Sequence, residues 1–263
     1  MKFSISETDL KQFADCLYTF FKEGIVEVRI KNGGWEVRAL DSARVAFFRF
    51  FLPSTFFSLY EYDSEKDYEN ININVESFAK FIKRVKGTIN IQIDLQTNKM
   101  EISAEKTKMR RVTSLYSSPN YPYHDENYNL TEAMEIELDP DELATAIKDM
   151  RAILKVDYVE MRCKENQLSI IGHDRLEDTV EALIECEVTN LLDEEAVSSY
   201  DISYLLTMLT PAKNFDVMNI QFGKDSPISF NYKDESGDLV IMYVLAPKIE
   251  EQYTEEEEET FDE

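Results

Sequence analysis

The chain has 263 residues, of which 43% are hydrophobic and 30% charged, and its formal net charge is −24. This size and apolar content are typical of a globular protein with room for two ordinary domains, not of a disordered chain. Only seven glycines and three cysteines occur, which argues against a dinucleotide-binding fold and a paired-cysteine metal site. The cysteines are interpreted as reduced thiols of an intracellular protein.

The N-terminus lacks a hydrophobic secretory run. The most apolar stretch, residues 45–53, contains Arg49 and is far too short to cross a bilayer. The sequence therefore predicts a protein that stays inside the cell and makes no membrane contact.

The first half of the chain predicts helix, hairpin, helix, hairpin. The amphipathic segment "ETDLKQFADCLYTFFKEG" precedes the strand "VEVRIK" (residues 26–31), the turn "KNGG" and a second strand that closes on Asp41. A helix is predicted over residues 76–86, with Phe78 and Ile82 on its apolar face, followed by Gly87 and a strand that alternates through Ile91.

The same order returns in the second half. "PDELATAIKDMRAILKVD" precedes "VEMRCK" (residues 159–164), the turn "KENQ" and a strand that closes on Asp174, all at one constant offset from the first copy. A helix and a strand follow over residues 202–223. This repetition indicates an internal duplication. The predicted fold class is α+β, with two similar domains that each pack two helices on antiparallel β-sheets.

The domain boundaries are predicted from changes in composition along the chain. Residues 1–116 are predicted to form the N-terminal domain and residues 133–250 the C-terminal domain. Residues 117–132 have two prolines and no periodicity, which is typical of a connector loop. Residues 251–263 are a block of acidic side chains and are predicted to be a disordered tail.

Two motifs resemble a known family. "RALDSARVAFFRFFLP" (residues 38–53) and "YVLAPKIEE" (residues 243–251) are similar to diagnostic segments of DNA sliding clamps of the proliferating cell nuclear antigen (PCNA) type. Together with the duplication, the resemblance covers essentially the whole chain. It implies the DNA clamp fold in a trimeric ring, with helices facing encircled double-stranded DNA and a β-layer outside. It also implies no active site, no cofactor, and a location in the cytoplasm of an archaeal-type cell or the nucleus of a eukaryotic one.

The resemblance implies that DNA polymerase, the clamp loader, ligase and flap nuclease dock short peptide motifs in a hydrophobic pocket beneath the connector. Such a peptide would insert an apolar and aromatic plug and pair with the backbone near Ala246. For Tyr123 the alternative is that it packs the loop on its own domains, and for the other positions that they are core. The residues assigned to this partner-peptide pocket are Leu40, Arg44, Val45, Tyr123, Pro227, Val244, Leu245, Ala246, Pro247, Lys248 and Ile249.

Basic residues on the predicted helices are candidates for the DNA-facing surface, although the net charge is acidic. Long, flexible lysine side chains suit a protein that slides, because each phosphate contact can be weak and independent of sequence. The alternative is a set of ordinary solvated helix faces. The assigned residues are Lys11, Lys80, Lys83, Arg84, Lys148, Arg151 and Lys213.

Two segments match the edges by which neighbouring clamp subunits pair. Residues 106–115 are basic and residues 175–185 acidic, so the two edges are electrostatically complementary. Head-to-tail contacts of this kind close into rings. The residues assigned to the subunit interface are Lys108, Arg110, Arg111, Glu177, Asp178 and Glu181.

Two alternatives stay open. A subunit of a heteromeric or checkpoint-type clamp would close its ring only with paralogues. A carboxylate-dependent metal nuclease or hydrolase could use Asp41 or Asp174, but the chain has only two histidines and no phosphate-binding loop. No catalytic or metal-ligating residue is therefore assigned.

Overall fold

The computed structural model describes residues 1–128, 130, 133–173, 178–190, 195–234 and 236–248. In these residues the first half contains β1 (Lys2–Ile5), α1 (Glu7–Phe21), β2 (Ile25–Lys31), β3 (Gly34–Leu40), β4 (Ala46–Pro53), β5 (Phe57–Glu61), β6 (Tyr68–Asn74), α2 (Val75–Ile82), β7 (Ile89–Asp94), β8 (Lys99–Ala104) and β9 (Arg110–Ser114). The second half contains β10 (Met134–Leu138), α3 (Pro140–Leu154), β11 (Tyr158–Lys164), β12 (Gln167–His173), β13 (Thr179–Glu185), β14 (Glu187–Asn190), β15 (Glu195–Asp201), α4 (Ile202–Met208), β16 (Met218–Phe222), β17 (Ile228–Lys233) and β18 (Val240–Leu245). The order of helices and strands is the same in both halves, which confirms the predicted α+β fold class. The acidic tail lies outside the described residues.

Each α-helix begins at a polar residue whose side chain accepts a hydrogen bond from the first turn. Ser6 caps α1, Asn74 caps α2, Asp139 caps α3 and Asp201 caps α4. Pro140 in the first turn of α3 has no N–H to leave unsatisfied there. The four helices thus start where local side-chain chemistry favours them.

The prediction of a helix over residues 76–86 was wrong at its C-terminal end. Helix α2 ends at Ile82, and the backbone N–H of Arg84 already bonds to the carbonyl of Phe81, three residues back. This tighter turn brings Val85 into the core before Gly87, whose φ is +88°. Arg84 therefore lies in a turn and not on the helix.

The strands form three antiparallel sheets. One sheet has the order β5-β1-β7-β8-β9 and another β13-β12-β11-β15. The third, β14-β10-β16-β17-β18-β4-β3-β2-β6, joins the two halves because β18 pairs with β4. Within the described residues, β9 and β13 each lie at the open edge of a sheet.

The helices cover the sheets in one row. Helix α2 packs on α1, α1 on α4, and α4 on α3. The core lies between this row and the sheets and includes an aromatic cluster in which Phe13 meets Trp35 and Phe50 edge to face. In the described part of the chain, no helix is long and apolar enough to span a membrane.

Candidate interfaces of the connector, the helix row and the sheet edges

The connector is bonded to β2 and β3 through its backbone. The N–H groups of Asn120 and Tyr121 donate to the carbonyl of Ile25 at 2.8 and 3.0 Å, and His124 N–H donates to Arg38 O at 2.8 Å. Tyr121 lies so close to Gly24, at φ +136°, that a Cβ there would be 2.7 Å from its ring. Gly24 is therefore needed for the connector to pass along β2.

Tyr123 anchors the connector to a buried charge cluster. Its hydroxyl donates to Glu36 Oε2 at 2.7 Å, and its ring centroid lies 3.5 Å from the guanidinium carbon of Arg29. Arg29 also pairs with the connector's Asp125 at 2.7 Å. This geometry fits the alternative in which Tyr123 packs the loop on its own domain.

Glu36 is the centre of this cluster. It is 3% exposed and accepts ion-pair contacts from Lys31 and from Arg49 Nε, the latter at 2.9 Å. Burial opposes its ionisation, but the hydrogen bonds from Lys31 and Tyr123 outweigh burial and hold its pKa below the ordinary 4.5. Burial, followed by the bond to the Glu36 carboxylate, raises the pKa of Tyr123 to about 12.

The loop after β3 is shaped by Asp41. Its carboxylate accepts hydrogen bonds from the N–H groups of Ala43, Val45 and Ala46 and from the Tyr204 hydroxyl, at 2.6 to 3.2 Å. These four bonds explain why aspartate occurs at this corner, and they engage both carboxylate oxygens. Asp174, the corresponding aspartate of the second half, lies outside the described residues.

The predicted pocket residues fall into an exposed and a buried group. Val45 is 39% exposed, Leu40 and Pro227 are half-buried, and Ala246 donates its N–H to Val45 O at 2.9 Å. Arg44, Ala246 and Lys248 are exposed, and Pro247 is half-buried. Val244 and Leu245 are buried in β18, which fits the core alternative for both. Ile249 lies outside the described residues.

Sequence reasoning did not assign two aromatic residues that lie beside these positions. The ring of Phe47, on β4, lies 4.7 Å from that of Tyr128 in the connector, and Tyr128 stacks on His124 with centroids 5.6 Å apart. Phe47 is buried beneath them. The tyrosine-rich connector was the available signal, but which tyrosine covers the strand depends on the path of the loop.

The predicted DNA-facing residues differ in their ion pairs. Lys11 pairs with Glu7 at 2.6 Å, Lys83 with Asp15 at 3.1 Å, and Lys80 with Glu76. The Glu76 carboxylate raises the pKa of exposed Lys80. Among the described residues, no ion pair involves the four exposed side chains of Arg84, Lys148, Arg151 and Lys213.

The two open edges carry opposite charges and exposed apolar side chains. On β9, Arg110 binds Glu101 in a bidentate pair, Arg111 donates to the carbonyl of Ser77, and Val112 is 51% exposed. On β13, Glu181 is exposed and Leu183 is 57% exposed. Lys108 and Asp178 flank the edges and are exposed, whereas Glu177 lies outside the described residues.

In the described part of the chain, no group of three or more His, Cys, Asp or Glu side chains could hold a metal ion. Together, the duplicated halves, the helix row and the open sheet edges define the DNA clamp fold.

Comparisons of this chain with known protein families and structures agree with this class. A family model described as Rad9 matches residues 21–256. The DNA polymerase sliding clamp of Thermococcus fumicolans is 30% identical, in an alignment covering 95% of this chain and all of the relative. The chain therefore belongs to the family of DNA polymerase sliding clamps.

Two solved structures share the fold. PCNA of A. fulgidus, bound to the C-terminal region of FEN-1, is 19% identical with a TM-score of 0.79, covering 95% of this chain and 98% of that one. The PCNA2–PCNA3 complex of Sulfolobus tokodaii is 20% identical with a TM-score of 0.77, covering 95% of this chain and all of the matched chain.

Proposed function

We propose that this protein is a replicative sliding clamp in which three identical chains close into a ring around duplex DNA and tether replication enzymes without catalysing a reaction. The observation that carries the proposal is the antiparallel pairing of β18 with β4, here called the seam. In the repeat, β9 is the counterpart of β18 and β13 is the counterpart of β4, and both lie at open sheet edges. A seam that already joins the two halves of one chain can join one chain to the next.

The strand registers identify the equivalent residues on β9 and β18. In the first half, Arg111 lies opposite Ile102 in a ladder that continues through β7 to β1. In the second half, Tyr243 holds the same place, opposite Phe230, in the ladder that continues through β16 to β10. Arg111 is therefore the counterpart of Tyr243, and Arg110 is the counterpart of Met242.

The same comparison relates β13 to β4. Phe48 lies opposite Ala39, two residues before Asp41, and Val180 lies opposite Gly172, two residues before Asp174. Val180 is thus the counterpart of Phe48, and Glu181 that of Arg49.

The intramolecular seam predicts the register of the subunit contact. Met242 lies opposite Arg49 in the seam, so we expect Arg110 of one chain to lie opposite Glu181 of the next. Arg110 would then lie between Glu101 of its own chain and Glu181 of its neighbour. A charge-assisted pair at this point favours the correct register and opposes pairing of like edges.

A helix side chain supports the same contact. Phe20 of α1 stacks on Phe48, with centroids 5.2 Å apart, and lies 5.9 Å from Tyr243 across the seam. Its counterpart on α3 is Ile153, which is 64% exposed. An exposed isoleucine at the end of the helix row would be buried by the neighbouring chain, which would bring α3 against the neighbour's α2.

The helix row supports the DNA-facing assignment. In a closed ring the rows of three chains would form one continuous inner layer that carries the exposed basic side chains. Four of these side chains form no ion pair in the described part of the chain, so each can neutralise a phosphate without losing a protein partner. They are Arg84, Lys148, Arg151 and Lys213. Such contacts bind independently of sequence and weaken with salt.

Docking of partner peptides is supported by the exposed apolar surface of Val45 beside Leu40 and Pro227. The N–H groups of Ala246 and Lys248 already donate to Val45 O and Ser199 O, which leaves the carbonyls of residues 246–248 to pair with a peptide strand. The solved A. fulgidus PCNA is bound to the C-terminal region of FEN-1, so a protein of this fold takes a nuclease tail. We extend this to the polymerase, clamp loader and ligase.

The test is a primer-extension assay on primed circular DNA, with the clamp, its loader and a cognate polymerase. The proposal predicts that the protein lengthens the products made in one binding event on closed circles, and that product length falls when the ring is disrupted. Equal product lengths with and without a verified, loaded clamp would contradict it.

A heteromeric ring is the second candidate, because the Sulfolobus tokodaii structure of the same fold contains two different PCNA chains. Self-association of the purified chain separates the two candidates. The hydrolase alternative is not favoured, because the four hydrogen bonds of Asp41 assign it to shaping the loop.

A further inference from the structure

Cys163 and Cys186 form a thiol pair that the clamp function does not use. Their Sγ atoms lie 4.0 Å apart, although the residues are separated by 23 positions in the sequence. Cys163 lies on β11 opposite Leu168, and Cys186 follows β13, where its N–H donates to Asn166 O at 3.1 Å. The end of β13 therefore curves over the β11–β12 turn and brings one thiol onto the other.

The two thiols differ in access to solvent. Cys163 is fully buried, whereas Cys186 is half-buried and lines an open cleft of about 610 Å³ beside the β11–β12 turn. The cleft's other lining residues are polar: Lys164, Glu165, Asn166, Gln167 and Glu185. A small hydrophilic reagent can therefore reach Cys186 first.

The more accessible thiol, Cys186, also has the lower pKa. The hydrogen bond from the Cys163 thiol lowers the pKa of Cys186, whereas that bond and then burial raise the pKa of Cys163. Since the thiolate is the reactive form, Cys186 is the better nucleophile at neutral pH. The two Sγ atoms, 4.0 Å apart, need to approach by about 2 Å to reach the length of a disulfide bond.

We propose that Cys163 and Cys186 are a reversible redox site that forms an intramolecular disulfide with small-molecule disulfides. The Cys186 thiolate attacks one sulfur of the reagent, forms a mixed disulfide and releases the other half as a thiolate. Cys163 then gives up its proton and attacks Cys186 Sγ, which releases the second half. The protein loses two electrons and two protons, and one small-molecule disulfide takes them up and becomes two thiols.

The cross-link would fix the end of β13 to β11, next to an open sheet edge. It would also close a loop containing β12 and β13, so the oxidised protein should unfold at a higher temperature. For a loop of this length, the expected rise in the unfolding midpoint is about 5 °C or more.

The test treats the purified full-length chain with glutathione disulfide and follows it by intact mass and non-reducing peptide mapping. The expected product is lighter by two hydrogen atoms, links Cys163 to Cys186, and returns to the starting mass with dithiothreitol. Cys16 is buried in α1, so Cys16→Ser should behave like the unmodified sequence, whereas Cys186→Ser should form no cross-link and show no midpoint shift.

A glutathione adduct that persists on Cys186 would overturn the proposal, as would two thiols that stay free or a disulfide between chains. None of these outcomes depends on ring formation or DNA, so the redox site can fail while the clamp function stands, or the reverse.

Discussion

Tyr123 of the connector donates a hydrogen bond to buried Glu36 of β3, with 2.7 Å between its hydroxyl oxygen and Glu36 Oε2. This bond ties the connector to the most enclosed carboxylate of the first half. Tyr123→Phe should therefore lower the free energy of unfolding by about 1 kcal/mol. Urea denaturation measures the change.

Tyr62→Phe is the control, because the Tyr62 hydroxyl also donates a hydrogen bond, to the carbonyl of Lys66, but in an exposed position. Its loss should be smaller. Equal losses for the two variants would show that the Tyr123 bond does not anchor the connector.

Glu36 should make stability depend on pH. Its folded-state pKa lies below the ordinary 4.5, so its contribution is present above that pH and is lost as pH falls through the folded-state value. Glu36→Gln should cost about 1–3 kcal/mol at neutral pH and less in acid. Paired denaturation curves at neutral and acidic pH measure the difference, and a constant difference would contradict the ionic role. Glu61→Gln, at the exposed ion pair with Lys2, is the control.

The subunit contact can be tested by exchanging charges. Arg110→Glu should shift the assembly to monomer, because it places a carboxylate against both Glu101 of the same chain and Glu181 of the next. Glu181→Arg as a single change should also weaken the ring. The two changes together should restore part of the assembly, as measured by light scattering. Lys99→Glu, a charge reversal on β8 that no assigned interface includes, should leave the mass unchanged.

A pair of single variants that both stay assembled would contradict the edge assignment. Loss of assembly with no recovery in the double variant would contradict the expected register, while leaving the edges as the contact.

The proposed peptide pocket depends on exposed apolar surface at Val45. Val45→Glu should weaken binding of a partner's C-terminal peptide at least about tenfold, a loss of about 1.4 kcal/mol, because a carboxylate would be desolvated against an aromatic plug. Fluorescence anisotropy with a labelled peptide measures the affinity. Val217→Glu changes another exposed valine, 53% exposed, outside the proposed pocket and should have no effect. Unchanged affinity in Val45→Glu would place the peptide elsewhere.

The proposed inner surface should respond to loss of the basic groups that have no ion pair in the described part of the chain. Lys148→Glu with Lys213→Glu should shorten the residence of the loaded ring on nicked circular DNA and reduce its dependence on salt. The control is Lys99→Glu with Lys233→Glu, the same change of charge on the sheets. Equal residence times for the two double variants would contradict the inner-face assignment.

Much of the fold could be predicted because the duplication repeats local signals. The equivalent strands β3 and β12 are each followed in the sequence by an aspartate, Asp41 and Asp174, and polar residues cap all four helices. The end of α2 could not be predicted, because Val85 is drawn into a core made by distant strands. Likewise, whether Tyr123 or Tyr128 covers β4 depends on hydrogen bonds to Ile25 and Arg38, which are remote in sequence.

The residues of the proposed interfaces could be predicted to different degrees. The charge of the edges could be predicted from the sequence, but the pairing of Arg110 with Glu101 depends on the β8–β9 register. The sequence alone provides no reason to place Ile153 at the proposed subunit contact. That reason comes from the packing of its counterpart, Phe20, across the seam. The residues of the proposed partner-peptide pocket were the hardest to predict, because Val244 and Leu245 are buried in β18.

The mass of the purified chain in solution, measured by light scattering at moderate salt, tests the homotrimeric ring most directly. The chain mass is 30.7 kDa, and a homotrimer should give three times that value, falling to the monomer value in Arg110→Glu. A monomer or dimer for the unmodified chain would contradict the homotrimer and favour a clamp that closes only with paralogous chains.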